Sequence, residues 1–391
     1  MLIASVVGAR PQFVKLGMLD LAIRRAAERA DDGISHQIIH TGQHYDERLS
    51  TVFFNELGIP EPDENLEVGS GSHGVQTGQM LEGLDRRFRV DRPDLVLTYG
   101  DTNSTLAAAL AASKLHIAVA HVESGLRSYQ KHMPEEINRV LTDHMSTLLF
   151  CPTAVAVENL KEEGLAGPTS GELYEIGNST RFPSPTSDAP WVLRVGDVMY
   201  DSVLHHELRA SAAMRDEIAD LVSAEHAVLT VHRAENTDAP DRLAGILEAA
   251  SKLATDYGWR VLFPAHPRTR AAMSGMQPLP GVAVTELFSY YDMLSILKSA
   301  RIVLTDSGGV QREAFMLGTP CVTLRDRTEW VELLESGLSA LGGSDVSTIL
   351  QAAHALLTED QPKSTLSPYG EGDAADRIID ACLAFGKMRS G

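Results

Sequence analysis

The chain has 391 residues, 43% hydrophobic and 22% charged, with a formal net charge of −19, which fits a globular protein long enough for two domains. That charge excludes a nucleic-acid partner, because phosphate-backbone binding needs a net basic surface. A small anionic ligand stays compatible where local Arg, Lys, His and helix ends offset the field. Cys151, Cys321 and Cys382 share no close spacing, so neither a disulfide framework nor a zinc knuckle is expected. No apolar run reaches the roughly 18 residues of a membrane span, and the chain opens directly on a strand without a basic leader. A cytoplasmic protein with no membrane association is the expectation.

In chain order, residues 1–7 (MLIASVV) read as a strand, then a Gly8-Ala9-Arg10-Pro11 turn and a helix from about Phe13. Residues 36–40 (HQIIH) and 94–99 (DLVLTY) are further strands, and 105–114 is an alanine-rich helix. Residues 116–122 (HIAVAHV) form the next strand, a helix starts at Pro134, and 147–151 closes the set. The composition then shifts to Gly, Ser, Thr and Pro over 164–190, a long surface loop. After a strand at 191–195 the pattern resumes with strands at 227–231, 260–264, 282–285, 302–305 and 321–324. Strands alternating with helices predict α/β architecture with parallel sheets. We expect two Rossmann-like, doubly wound domains facing a central cleft, residues 1–198 plus 374–391 and residues 199–373, with ligands beyond the carboxyl ends of the strands.

The chemistry-bearing residues fall in those strand-end loops. Arg10 supplies a planar fork suited to phosphate oxygens, beside a helix start with free amides and Lys15 one turn on. Equally, the segment is a βα turn with a solvated Arg. Asp306-Ser307-Gly308-Gly309 precedes a helix over 310–317, where Ser307 is a good N-cap and the glycines admit a ligand to the backbone. The free N–H groups there make a diphosphate seat, and Glu313 about a turn further could bind ribose hydroxyls. Asp101 and Glu123 follow adjacent strands, and Glu135 and Glu136 follow Pro134 at a helix start. Their convergence would supply acid/base groups, although Asp101 could cap its helix and Glu135 could pair with Arg139. His232 ends another strand, where a lone histidine is more often structural. His266 lies in a similar loop, and His205-His206 lacks partners at metal spacing, so no metal is expected.

Taken together and in order, Gly8-Ala9-Arg10-Pro11, Thr41-Gly42-Gln43-His44, Gly100-Asp101-Thr102, His121-Val122-Glu123-Ser124-Gly125-Leu126-Arg127, Pro134-Glu135-Glu136-Ile137-Asn138-Arg139, His232-Arg233 with Glu235-Asn236, and Asp306-Ser307-Gly308-Gly309-Val310-Gln311 with Glu313 span the chain. This set resembles the non-hydrolysing UDP-N-acetylglucosamine 2-epimerase family. The resemblance implies the GT-B type fold, a homodimer, no cofactor, a UDP-sugar substrate, UDP held mainly by the C-terminal domain, and a final helix from about Ala374 returned to the N-terminal domain. It implies catalytic roles for Asp101, Glu123, Glu135 and His232, and substrate contacts for Arg10, Lys15, Ser307, Gly308, Gly309 and Glu313.

The stretches 7–13, 99–105 and 196–201, and Arg325-Asp326 with Thr328-Glu329-Trp330-Val331-Glu332, look like a branch that includes UDP-2,3-diacetamido-2,3-dideoxyglucuronate 2-epimerases. Tyr45-Asp46 stands where regulated bacterial members carry Arg followed by Glu or Gln, which speaks against activation by a second UDP-N-acetylglucosamine. A GT-B glycosyltransferase is the alternative of another class. It would use a similar nucleotide seat without exchanging the C2 hydrogen.

Overall fold

The computed structural model describes residues 1–29, 33–43, 54, 56–165, 167, 184–212, 215–358 and 368–390. His44, Tyr45-Asp46 and most of the Gly/Ser/Pro-rich stretch lie outside the described residues. The chain divides into two compact units, Met1–Ser202 with Pro368–Gly391, and Val203–Ser367.

The first unit is built on seven strands: β1 (Leu2–Val7), β2 (Ser35–His40), β3 (Glu64–Asn65), β4 (Leu95–Tyr99), β5 (Ala118–Val122), β6 (Leu148–Cys151) and β7 (Trp191–Arg194). Their spatial order is β3-β2-β1-β4-β5-β6-β7, and the pairings are parallel. The second unit carries β8 (His226–Thr230), β9 (Arg260–Pro264), β10 (Val282–Thr285), β11 (Ile302–Thr305), β12 (Cys321–Thr323) and β13 (Ser339–Leu341). Their order, β10-β9-β8-β11-β12-β13, is again parallel throughout. In both sheets the chain winds outward one way and then returns beside its first strand. The switch points fall between β1 and β4, and between β8 and β11, where ligands of doubly wound folds sit.

A parallel sheet must be covered on both faces, and the apolar residues are distributed accordingly. In the first unit Ala4, Val6 and Val96 pack against Met80, Leu84 and Phe88 of the helix His73–Asp91, and against the alanines of the helix Asn103–Lys114. Alanine lets that second helix approach the sheet closely. In the second unit Leu229, Phe263 and Leu304 face Leu243, Ile246 and Leu247 of the helix Pro240–Tyr257. On its other face Val228, Leu262 and Val303 meet Ile296 and Leu297 of the helix Tyr290–Ser299. The last helix, Ala374–Ser390, belongs to the first unit. There Arg25 pairs with Asp376 at 2.8 Å, and Arg389 donates to the Asp94 carbonyl at 3.3 Å.

Among the described residues the sequence reading did not name β3, β13 or the helices His73–Asp91, Ala154–Glu162, Val331–Glu335 and Val346–Thr358. The two strands have only two and three residues, too few to show a hydrophobic period. The first long helix begins at Arg10 rather than Phe13. Pro11 suits a first turn, and the Gln12 carboxamide accepts the Gly8 and Ala9 N–H groups at 2.8 and 3.0 Å. Among the described residues no helix is long and apolar enough to cross a membrane.

Candidate functional site

At the first switch point Gly8 leaves β1 against the neighbouring loops. A Cβ there would collide with the hydroxyls of Thr41 and Ser104, which are hydrogen-bonded to each other at 2.8 Å; close approach, not backbone dihedrals, demands glycine. Gln12 spans the gap. Its amide nitrogen donates to the Tyr99 carbonyl at 2.8 Å and to the Thr102 and Thr105 hydroxyls at 3.0 and 3.1 Å. The start of the first helix is thereby tied to the end of β4. The Gly8 and Ala9 amides, read from sequence as free for phosphate, are consumed by Gln12. Arg10 is half-buried at the first helical position.

Lys15 and Glu123 form a buried ion pair, with side chains 3% and 10% exposed. Lys15 Nζ lies 3.5 Å from the position a Cβ on Gly100 would take, so the pair abuts the turn that carries Asp101. Glu123 has φ +74°, the left-handed region that non-glycine residues rarely adopt. Such an outlier persists only where its surroundings over-determine it, and it clusters at functional sites. Here the Phe150 carbonyl accepts the Glu123 and Ser124 N–H groups at 3.1 and 3.0 Å, and Lys15 holds the carboxylate.

Asp101 is gripped from the helix Pro134–Met145. Arg139 pairs with its carboxylate, and Asn138 Nδ2 donates to its carbonyl at 2.9 Å. Glu135 stands half-buried in the first turn of that helix. Both structural alternatives raised from sequence fail: the helix after Asp101 is capped by Thr102, and Arg139 pairs with Asp101 and Glu136. Glu136 instead accepts from Ser128 N and Oγ, both at 2.9 Å, and from Tyr129 N at 2.8 Å, fixing a loop.

Beneath these loops lies a fully buried polar chain. His121 Nδ1 meets Asp143 Oδ1 at 2.6 Å, and Nε2 meets the Gly100 carbonyl at 2.7 Å. Asp143 Oδ2 accepts from Gly125 N at 3.1 Å and pairs with Arg127 Nη1 at 2.8 Å. Burial would raise the Asp143 carboxyl, but the charge and hydrogen bond of His121, with Arg127 behind, hold it below the usual carboxylate range.

At the second switch point His232 follows β8 and Asp306 follows β11. Asp306 is fully buried. Its carboxylate accepts from the backbones of His232 (3.1 Å) and Arg233 (3.0 Å) and from Asn236 Nδ2 (3.1 Å). The His232 ring is 48% exposed with Nδ1 at 3.3 Å from Asp306 Oδ1. Ser307 caps the helix Gly308–Met316, accepting from Val310 N at 3.4 Å. The helix therefore starts two residues before the sequence estimate and presents Gly308 and Gly309 as its first amides, which have no partner within the helix. A Cβ on Gly308 would stand 3.1 Å from Glu329 Oε1, and one on Gly309 only 3.8 Å from Ser307 Oγ. Glu313 is buried on the same helix. Arg312 lies over the Trp330 ring, 4.0 Å from its centroid, so the branch-specific Glu329-Trp330 stretch borders this helix start.

The structure thus gathers Lys15, Glu123, Asp101 and the Glu135 helix in the first unit, and His232, Ser307, Gly308, Gly309 and Glu313 in the second. Sequence reasoning assigned no holding role to Gln12, Asn138, Asp143 or Asp306, and offered Glu135 rather than Asp101 as the partner of Arg139. The available signal was a polar residue on an otherwise core-facing helix or at a strand end. Among the described residues no group of three or more His, Cys, Asp or Glu is arranged to hold a metal ion.

Residues 26–383 match the family model described as UDP-N-acetylglucosamine 2-epimerase. The chain is 43% identical to the UDP-2,3-diacetamido-2,3-dideoxy-D-glucuronate 2-epimerase of Pseudomonas aeruginosa, covering 97% of this chain and 99% of that one. It is 37% identical to the UDP-N-acetylglucosamine 2-epimerase of Methanocaldococcus jannaschii, covering 99% and 100%. A crystal structure of the M. jannaschii UDP-GlcNAc 2-epimerase in complex with UDP-GlcNAc and UDP superposes with a TM-score of 0.83 at 36% identity, covering 98% of this chain and 99% of that one. A putative UDP-N-acetylglucosamine 2-epimerase from Listeria monocytogenes gives the same TM-score, 0.83, at 28% identity over 99% and 97%. Similarity of this extent, over nearly the whole chain, shows that the chain belongs to the UDP-N-acetylglucosamine 2-epimerase family.

Proposed function

We propose that this isomerase inverts C2 of a UDP-N-acetylhexosamine, converting UDP-N-acetylglucosamine to UDP-N-acetylmannosamine by eliminating UDP and adding it back. The observation that carries the reading is the pair of carboxylates, Asp101 and Glu123, offered from the ends of adjacent strands β4 and β5, each held by its own cation.

The C2 hydrogen has no neighbouring carbonyl to acidify it, so a carboxylate removes it only as UDP departs. In the elimination the C1–O bond to UDP breaks, the C2 proton passes to a carboxylate, and a C1–C2 double bond forms. In the return step a proton adds to the opposite face of C2 and a UDP oxygen restores the C1–O bond. One carboxylate does not serve both faces easily. We assign C2 proton transfer to Glu123 and Asp101, with Glu135 orienting or supporting them. Arg10, His232 and the amides of Gly308 and Gly309 stabilise the departing diphosphate, Lys15 faces the sugar and phosphate, and Glu313 binds the ribose. The division of labour follows the units, with carboxylates in the first and the UDP seat in the second.

A second substrate, UDP-2,3-diacetamido-2,3-dideoxyglucuronate, is favoured by the 43% identity to the Pseudomonas relative of that name. We further propose a cytoplasmic homodimer. Ile137 and Leu141, 45% and 46% exposed at i and i+4 on one helix, form an apolar face suited to a second copy. The test is product analysis by NMR. Interconverting gluco and manno nucleotides support the reading; UDP with free N-acetylmannosamine would mean hydrolysis, and no reaction with either sugar nucleotide would reject it.

A further inference from the structure

The proposed chemistry leaves His121 and Asp143 unused, although both are fully buried directly under the reacting loops. The Gly100 carbonyl can only accept, so His121 Nε2 carries a hydrogen toward it at 2.7 Å. The Asp143 carboxylate accepts on its other oxygen from Gly125 N and Arg127 Nη1, and takes the His121 Nδ1–H at 2.6 Å. What His121 does is geometric. One nitrogen holds the residue before Asp101; the other, through Asp143, holds the residue two after Glu123.

Backbone and amide bonds supplement this link. The Gly100–Asp101 turn is also tied by Gly100 N to the Val122 carbonyl at 3.0 Å and by Asn138 to the Asp101 carbonyl at 2.9 Å. The Glu123–Gly125 loop hangs from the Phe150 carbonyl in the strained conformation noted above. His121–Asp143 is a side-chain link that joins one loop to the other.

We propose that His121 and Asp143 are positioning residues that lock the Gly100–Asp101 turn to the Glu123–Gly125 loop and so set the separation of the two carboxylates across C2. The inference rests on the epimerase reading for its kinetic consequence, but not for its structural one.

Two isosteric substitutions separate the two bonds. In His121→Asn the side-chain amide reaches the Nδ1 position, keeping Asp143 and releasing the Gly100 carbonyl. In His121→Gln it reaches the Nε2 position, keeping Gly100 and releasing Asp143. The first readout is backbone amide exchange in the unliganded protein. H121N should speed exchange about 10-fold or more over residues 99–104 with little change over 122–128, and H121Q should do the converse. The second readout is turnover: both variants lose about 10- to 100-fold in kcat, the cost of a misplacement of order 1 Å, while KM and the dissociation constant for UDP stay within about 3-fold. Asp143→Asn serves as the third variant should either fail to fold, with the loosening expected over 122–128.

Unchanged exchange in both loops overturns the proposal, as does a folded H121N or H121Q enzyme with wild-type kcat. A wild-type enzyme inert toward both sugar nucleotides, with the exchange pattern as expected, sinks the epimerase reading and leaves the lock standing.

Discussion

Replacing Lys15 by Met should destabilise the first unit markedly, quite apart from any effect on catalysis. The Lys15 and Glu123 side chains are 3% and 10% exposed, so the substitution strands a carboxylate in a site with almost no water. Breaking one side of a buried pair costs about 3–5 kcal/mol, far more than an exposed pair is worth. For a unit of this size each kcal/mol moves the melting temperature by roughly 2–4 °C, giving a fall of about 6–20 °C. Glu123→Gln strands the ammonium and should cost a similar amount. The double variant, with neither charge, should cost less than either single variant, so the coupling in a double-mutant cycle should be at least about 3–5 kcal/mol, the cost of one single substitution. Trp191, buried in β7, reports on the first unit; replacing Trp259 and Trp330 by Phe leaves its fluorescence as the sole tryptophan signal. Activity should not follow stability, because the double variant restabilises the unit without restoring the proton acceptor. A loss under 1 kcal/mol for Lys15→Met, or strict additivity in the double variant, would refute the buried-pair argument. Turnover retained in Glu123→Gln would remove Glu123 from the chemistry.

Other outcomes follow from single features. Gly8→Ala forces a methyl into the Thr41 and Ser104 hydroxyls and should cost about 1–3 kcal/mol by overpacking, measured by urea unfolding of the same Trp191 reporter. Asp201 is buried where its carboxylate accepts the Ala374 and Ala375 N–H groups at the start of the last helix. Burial, with Asp197 and Asp373 nearby, pushes its carboxyl up to about 7 against those two hydrogen bonds. A raised folded-state value means that Asp201 stabilises the fold below the ordinary carboxylate range, and that this contribution is lost as pH rises through about 7. Asp201→Asn should therefore gain melting temperature relative to wild type between pH 5 and pH 8; a difference independent of pH would contradict this. Ile137→Asp with Leu141→Asp should convert a dimer to a monomer in analytical ultracentrifugation while leaving the melting temperature within a few degrees. Ser307→Ala removes the helix cap at a cost of about 1 kcal/mol, and calorimetry should show weaker UDP binding with the carboxylate site undisturbed.

The sheet strands were legible because most carry a run of two or three apolar residues that the pairing buries, as in residues 95–97 and 302–304. β3 and β13 were not, since two or three residues carry no period. Strand-end placement located Asp101, Glu123, His232 and Ser307 from sequence, because in a doubly wound sheet chain order largely dictates which loops share an edge. The partners were hidden. Nothing local tells that Arg139 turns to Asp101 rather than Glu135, or that Gln12 takes the amides a phosphate was expected to use; those choices are made by packing between segments about ninety residues apart in the case of Gln12 and Thr102. The strain at Glu123 is likewise invisible to a pattern, because it is a backbone state imposed by Phe150 and Lys15.

The central claim is that C2 loses and regains a proton while UDP leaves and returns. Incubation of the protein with UDP-N-acetylglucosamine, and separately with UDP-2,3-diacetamido-2,3-dideoxyglucuronate, in heavy water tests it directly by NMR at C2. The account predicts deuterium at C2 in both the gluco and manno nucleotides of the preferred sugar, in a persistent mixture. Interconversion with the original hydrogen retained, or no exchange with either sugar, would contradict it.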